Sequence, residues 1–127
     1  MRIESLTPML WTSELHKTVD FYTKTLGFTL GEMNESWGWA ALNKDEVEIM
    51  FAVPNEHTTY HGPAFTGSLY MVTDDVDAIW EDLKDRATIA YPIENFEHKM
   101  REFAIYDNNG YMLQFGQDMI DYIAASN

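Results

Sequence analysis

Asp20-Phe21-Tyr22-Thr23-Lys24-Thr25-Leu26-Gly27-Phe28 is where a helix ends and a strand begins. Leu15, Val19, Tyr22 and Leu26 recur at spacings of four, three and four, the period of one apolar helix face. Gly27 suits the left-handed residue that closes a helix, because it has no Cβ to clash there. Upstream, Thr12 or Ser13 can cap the helix and Glu14 suits its first turn. Residues 3–11 alternate weakly and predict a strand, with Pro8 marking an edge or bulge. Downstream, 28–33, 37–42 and 47–53 predict three strands separated by polar turns at Asn34-Glu35-Ser36 and Asn43-Lys44-Asp45.

The same order then returns. Residues 54–66 hold Pro, His, Gly and Thr without periodicity and predict a linker. A strand follows at 67–73. Asp74 or Asp75 caps a helix whose apolar face is Val76, Ile79, Trp80 and Leu83. Strands are expected at 88–93, 103–106 and 111–116, the last two joined by a turn at Asn108-Asn109-Gly110. Leu15, Val19 and Tyr22 fall on Val76, Trp80 and Leu83 with one shift of 61, and Val47, Ile49 and Phe51 fall on Tyr111, Leu113 and Phe115 with one of 64. The expectation is an α+β chain of two tandem βαβββ modules, at about 1–53 and 67–116, with a tail at 117–127. Neither module buries both faces of a small sheet alone, so the two should pair in one domain spanning 1–127.

Composition narrows the function. The chain has 127 residues, 46% of them apolar, enough for one domain with a real core. It has no cysteine, which removes disulfides and thiolate chemistry. Twenty-one acidic and eight basic residues leave a net charge of −13, which repels phosphate backbones and argues against nucleic acid. No apolar run reaches the roughly 18 residues of a membrane span. Met1-Arg2-Ile3-Glu4-Ser5 lacks a signal-peptide core, so a cytoplasmic protein is expected and the sequon at Asn34 carries no weight.

Three stretches resemble one family. Residues 20–28 resemble the "FY…LGF" helix end of the vicinal-oxygen-chelate, or glyoxalase/bleomycin resistance/dioxygenase, superfamily. Asp74-Asp75-Val76-Asp77 resembles its second helix start. Residues 106–115, from Tyr106-Asp107-Asn108-Asn109-Gly110 to Phe115, resemble its closing hairpin. The resemblance implies a cup-shaped mixed sheet built from both modules. It does not imply one reaction, since the family includes metal-dependent lyases, dioxygenases and metal-free binding proteins.

In metal-using members, as the resemblance implies, each module's first and last strands supply a ligand. Those positions fall on Thr7, on Ser68, on Gln114 and on either Met50 or Glu48. Thr, Ser, Met and Gln compete poorly with water for a divalent ion, so neither a metal nor any other cofactor is expected. His57 and His61 are four apart, which would suit a helix face, but Pro54, Gly62 and Pro63 argue for a loop there, and His16 and His98 lie elsewhere. Alternation predicts that Thr7, Met9, Trp11, Met50, Ser68, Tyr70, Met112 and Gln114 line the cup, with Val72, Ala52 and Gly116, and Glu48 at its mouth. Of the next strand, either Trp37 and Trp39 or Gly38 and Ala40 look inward. Lys99 and Arg101 are candidate anion contacts, or surface partners of Glu97 or Glu102.

This lining suits a flat organic ligand, aromatic or cationic, held without metal. The enzymatic alternative uses Glu48 as general base with Tyr70 or Gln114 holding an oxyanion. A third reading is an interaction domain without a ligand. A homodimer is expected, because relatives of this length commonly pair modules between chains and the tail offers Met119, Ile120, Tyr122 and Ile123 as apolar surface.

Overall fold

The computed structural model describes residues 1–55 and 57–126. Its order is β1 (Met9–Trp11), α1 (Leu15–Asp20), a π-helical turn (Phe21–Thr25), β2 (Thr29–Asn34), β3 (Trp39–Lys44) and β4 (Val47–Ala52). The order repeats as β5 (Leu69–Val72), α2 (Val76–Leu83), β6 (Thr88–Asn95), β7 (Met100–Tyr106) and β8 (Met112–Asp118), and α3 (Met119–Ser126) ends it. Residues 1–63 and 64–127 form two compact units. Each unit holds a four-stranded sheet, ordered β1-β4-β3-β2 in the first and β5-β8-β7-β6 in the second. In both, the first strand runs parallel to the last and the other pairs are antiparallel. These are the two tandem βαβββ modules that the sequence implies.

In the first module, α1 and its π turn cover the sheet face made by Ala40, Leu42, Ile49 and Phe51, all buried. Tyr22 is the centre of that core, with Phe21, Phe28 and Phe51 around it at centroid distances of 5.7, 5.5 and 5.0 Å. The helix expected to run unbroken to Leu26 widens instead after Asp20. The amide of Leu26 bonds the carbonyl of Phe21, and the hydroxyl of Thr23 bonds the carbonyl of Val19, so side chains compete for the regular ladder. Gly27, at φ +77, ends it as expected. The cap differs. Glu14 takes the N-cap position without a side-chain cap bond, while Thr12 turns its hydroxyl onto the Glu14 amide and onto Thr18.

In the second module, Asp75 caps α2 by accepting from the Ala78 amide at 3.2 Å. The β7–β8 turn is held by one buried carboxylate. Asp107 Oδ1 accepts from the amides of Asn109, Gly110 and Tyr111 at 2.8–2.9 Å. Because the turn is fixed, so is the register that follows: Tyr106 faces Met112, Ala104 faces Gln114 and Glu102 faces Gly116. No helix among the described residues is long and apolar enough to cross a membrane. On α3, Ile120 and Ile123 are 73% and 54% exposed, as the apolar tail pattern implied.

Candidate functional site

The first module's sheet has a second face, away from α1. β1 places Met9 opposite Met50 and Trp11 opposite Ala52, and β3 places Ala41 opposite Met50 and Trp39 opposite Ala52. Residues paired across strands share a face, so Trp11 and Trp39 flank the small Ala52 on the side away from the Tyr22 core. With strands about 4.8 Å apart, their backbones stand about 10 Å apart, one on each side of the Ala52 methyl. Trp11 is 42% exposed and Met9 51%. The choice left open for β3 is thus resolved: Trp39 is on this face with Ala41, and Ala40 is in the core. Trp37 does not join it, because it sits in the turn before β3 and is 76% exposed.

Further along the same face, the Thr7 hydroxyl donates to Glu48 Oε1 at 3.2 Å, and Glu48 is exposed. The register also separates Glu48 from Met50. Met50 pairs with Met9 as Gln114 pairs with Tyr70, so Met50 is the counterpart of Gln114, and Glu48 of Met112. Tyr60 adds a ring that alternation could not predict. It comes from the linker, meets Trp11 edge-on at 6.0 Å and donates its hydroxyl to the Trp11 carbonyl at 3.0 Å.

The equivalent face of the second module carries a closed polar cluster. Its centre is Glu102, 3% exposed. Oε1 accepts from the Tyr70 hydroxyl at 2.9 Å and meets His98 Nε2 at 2.6 Å. Oε2 accepts from the Tyr91 hydroxyl and from the Gln114 amide at 3.2 Å. Gln114 also donates to the Tyr91 oxygen at 2.7 Å, and its carbonyl accepts from the Ser68 hydroxyl. Tyr70 reaches Glu102 by lying across Gly116: a Cβ there would stand 2.1 Å from the phenol oxygen.

Burial opposes the charge on Glu102. The hydrogen bonds from Tyr91, His98 and Tyr70 outweigh it and hold the carboxyl below its ordinary value. Burial and the neighbouring carboxylate push the Tyr70 phenol well up, and burial likewise lifts Tyr91 to about 12 against its bond from Gln114. Both phenols therefore stay protonated as donors at neutral pH. The sequence places Glu102 only as a surface partner of Lys99 or Arg101 and assigns no role to Tyr91 or His98. Ser68, Tyr70 and Gln114 are brought together around a carboxylate.

Arg101 points the other way on β7. Its guanidinium bonds Asp77 on α2 at 2.8 Å and Asn95 at 3.0 Å, and lies 5.1 Å from the Tyr122 ring centre. Its carboxylate partner is thus Asp77 on α2. That bond holds the Asp77 carboxyl below its usual range.

The metal that the family implies does not fit these residues. Thr7, Met50, Ser68 and Gln114 offer hydroxyl, thioether and amide in place of imidazole and carboxylate. Gln114 already spends its oxygen on Ser68 and its nitrogen on Tyr91 and Glu102. No group of three His, Cys, Asp or Glu side chains among the described residues is arranged to hold an ion.

Comparison with known proteins agrees with the geometry of the fold. The model of the Glyoxalase/Bleomycin resistance protein/Dioxygenase superfamily matches residues 2–115. TioX from Micromonospora sp. ML1 is similar with a TM-score of 0.75 at 16% identity, over 91% of this chain and 98% of that one. A bleomycin resistance determinant encoded on the transposon Tn5 gives 0.73 at 20% identity, over 91% and 98%. A lactoylglutathione lyase from Agrobacterium tumefaciens gives 0.73 at 14% identity, over 92% and 95%. No curated protein sequence matches the chain.

Proposed function

The chain belongs to the glyoxalase/bleomycin resistance protein/dioxygenase superfamily, and we propose that it binds a small, flat organic molecule, aromatic or cationic, without a metal. The observation that carries this reading is the pair Trp11 and Trp39 flanking Ala52 on that second face of the first module. Two indoles about 10 Å apart across a methyl can stack on both sides of one planar ring, and Met9 and Met50 beside them adapt to its outline. Charge favours a cation. The strand positions of this face carry Glu32 and Glu48 and no Lys or Arg, in a chain of net charge −13. Thr7 and Glu48 supply polar contacts at its far end. In this reading Glu48 contributes charge and is not a base. Ser68 and Gln114 act as hydrogen-bonding supports of the second module, with Tyr70 and Met112 as its remaining surface.

Acridine orange, a planar aromatic cation, is a suitable probe. Titration should quench tryptophan emission saturably, and affinity should fall partly as salt rises. Trp11→Ala and Trp39→Ala should each weaken binding about tenfold, the yield of a stacked aromatic anchor. Lys24→Ala, at an exposed helix position, should leave it unchanged. Equal affinity in the parent and both tryptophan variants would show that the tryptophan pair is not the site.

A further inference from the structure

We propose that His98 and Glu102 form a proton-accepting centre in the second module, in which Glu102 holds the imidazole with its proton on Nε2 and the free Nδ1 takes a proton from the hydroxyl of a phenolic ligand. The proposal lies on a different sheet from the tryptophan pair and does not rest on it.

An exposed His–Glu pair four residues apart would ordinarily mean little. Three observations set this one apart. The first is the state of the carboxylate. Glu102 is 3% exposed, yet among the described residues its recorded partners include no Lys or Arg. Its contacts come from four places: Tyr70 on β5, Tyr91 on β6, Gln114 on β8 and His98 in the β6–β7 turn. A buried carboxylate costs folding free energy unless its lone pairs are filled, and the imidazole N–H fills one of them.

The second observation is the orientation of the ring. Nε2 lies 2.6 Å from the Glu102 carboxylate, which can only accept when ionised, so in the neutral ring the proton sits on Nε2 and Nδ1 keeps its lone pair. His98 stacks on Phe96 at 5.5 Å and 22°, and Phe96 in turn meets Tyr91 edge-on at 5.6 Å. The side chain is still 57% exposed, so a ligand can reach the ring. A buried carboxylate that fixes the tautomer of an accessible imidazole is the arrangement that makes histidine a base in hydrolytic triads, reached here on an unrelated fold.

The third is backbone strain at that turn. Lys99 takes φ +66, a conformation disfavoured for a residue with a Cβ. It is held there by its amide on the Phe96 carbonyl, by the Phe96 amide on the Met100 carbonyl, and by its own carbonyl under the Met119 amide. The turn that carries His98 is therefore pinned from three sides.

The proton transfer balances without a co-reactant. The ligand O–H bond breaks and its electron pair stays on oxygen. An N–H bond forms at Nδ1, and Glu102 stabilises the imidazolium. The titratable and charged groups around the ring are Glu102, Tyr70 and Tyr91 on the sheet, and Glu97 and Lys99 beside it in the turn. A phenol suits the centre because its acidity lies within reach of imidazole, which that of an alkanol does not. Tyr70, 42% exposed, offers it a ring to pack against.

The test uses 4-nitrophenol, whose phenolate absorbs visibly. Binding to the intact protein should lower the pH at which the probe ionises by about one unit, about tenfold in its ionisation constant. His98→Gln should bind the probe without that change. Nitrogen NMR of the imidazole should show the Nε2–H tautomer in the parent and its loss in Glu102→Gln, which separates positioning from general stability. A probe that fails to bind, that ionises as in water, or that ionises equally well on His98→Gln would overturn the proposal. Because His98 is exposed, that variant should fold even if Glu102→Gln does not.

Discussion

Tyr22→Ala is expected to destabilise the first module by about 3–5 kcal/mol, the cost of emptying a large aromatic site in a packed core. Tyr22 is fully buried, and its ring touches three others that approach from the π turn, from the chain just past Gly27 and from β4. The site cannot collapse easily. Phe51 is part of the β4 ladder, and Phe28 is tied down by its amide on the Tyr22 carbonyl at 2.8 Å. A rigid surround leaves the cavity open, which places the cost at the high end. Urea unfolding followed by tryptophan emission measures it. The midpoint should drop steeply, while Lys24→Ala, on the solvent side of the same turn, should leave it in place. A small change at Tyr22 would mean that the aromatic cluster is not the core of this module.

In the second module one sensitive position has no side chain at all. Gly116→Ala should cost about 1–3 kcal/mol, the penalty for depriving a buried acceptor of its donor. The added methyl would occupy the place of the Tyr70 phenol, which must swing off Glu102. The effect should also depend on pH. Glu102 is held below the ordinary carboxyl value, so its stabilising contribution is full above the range where an unfolded glutamate titrates. It is lost as pH falls through the lower, folded value. Removing one of its donors raises that folded value, so acid unfolding of Gly116→Ala should begin at a higher pH than in the parent. Circular dichroism along an acid titration reads this directly. Coincident profiles would show that the Tyr70 bond does not govern the charge on Glu102.

Much of this architecture is legible in particular residues, and the omissions have physical reasons. The phases of Met9, Trp11, Met50, Tyr70 and Gln114 follow from strand alternation, because a period of two leaves only two faces to choose between. Strand ends are less legible. β1 shrinks to three residues behind Pro8, which has no amide hydrogen to give to a ladder. Glu102 was readable and overlooked. Counting outward from the Asn108-Asn109-Gly110 turn puts it opposite Gly116, in phase with Gln114, on a face where a carboxylate must find donors. Beside Arg101 it looked like half of a surface pair, but adjacent strand residues point to opposite faces, so the two never share a site. Tyr60 and His98 were not readable in the same way. Each reaches its partner from a loop, and no periodicity describes where a loop side chain ends.

Ligand binding without a metal is tested most directly by one titration. Acridine orange is titrated calorimetrically into protein stripped with a chelator, and again after adding zinc, nickel or manganese. If the tryptophan pair is the site, the affinity and heat of binding should be the same in every case, and a Trp11→Ala, Trp39→Ala double variant should lose binding. Binding that is absent from the stripped protein and returns with a metal would contradict the account.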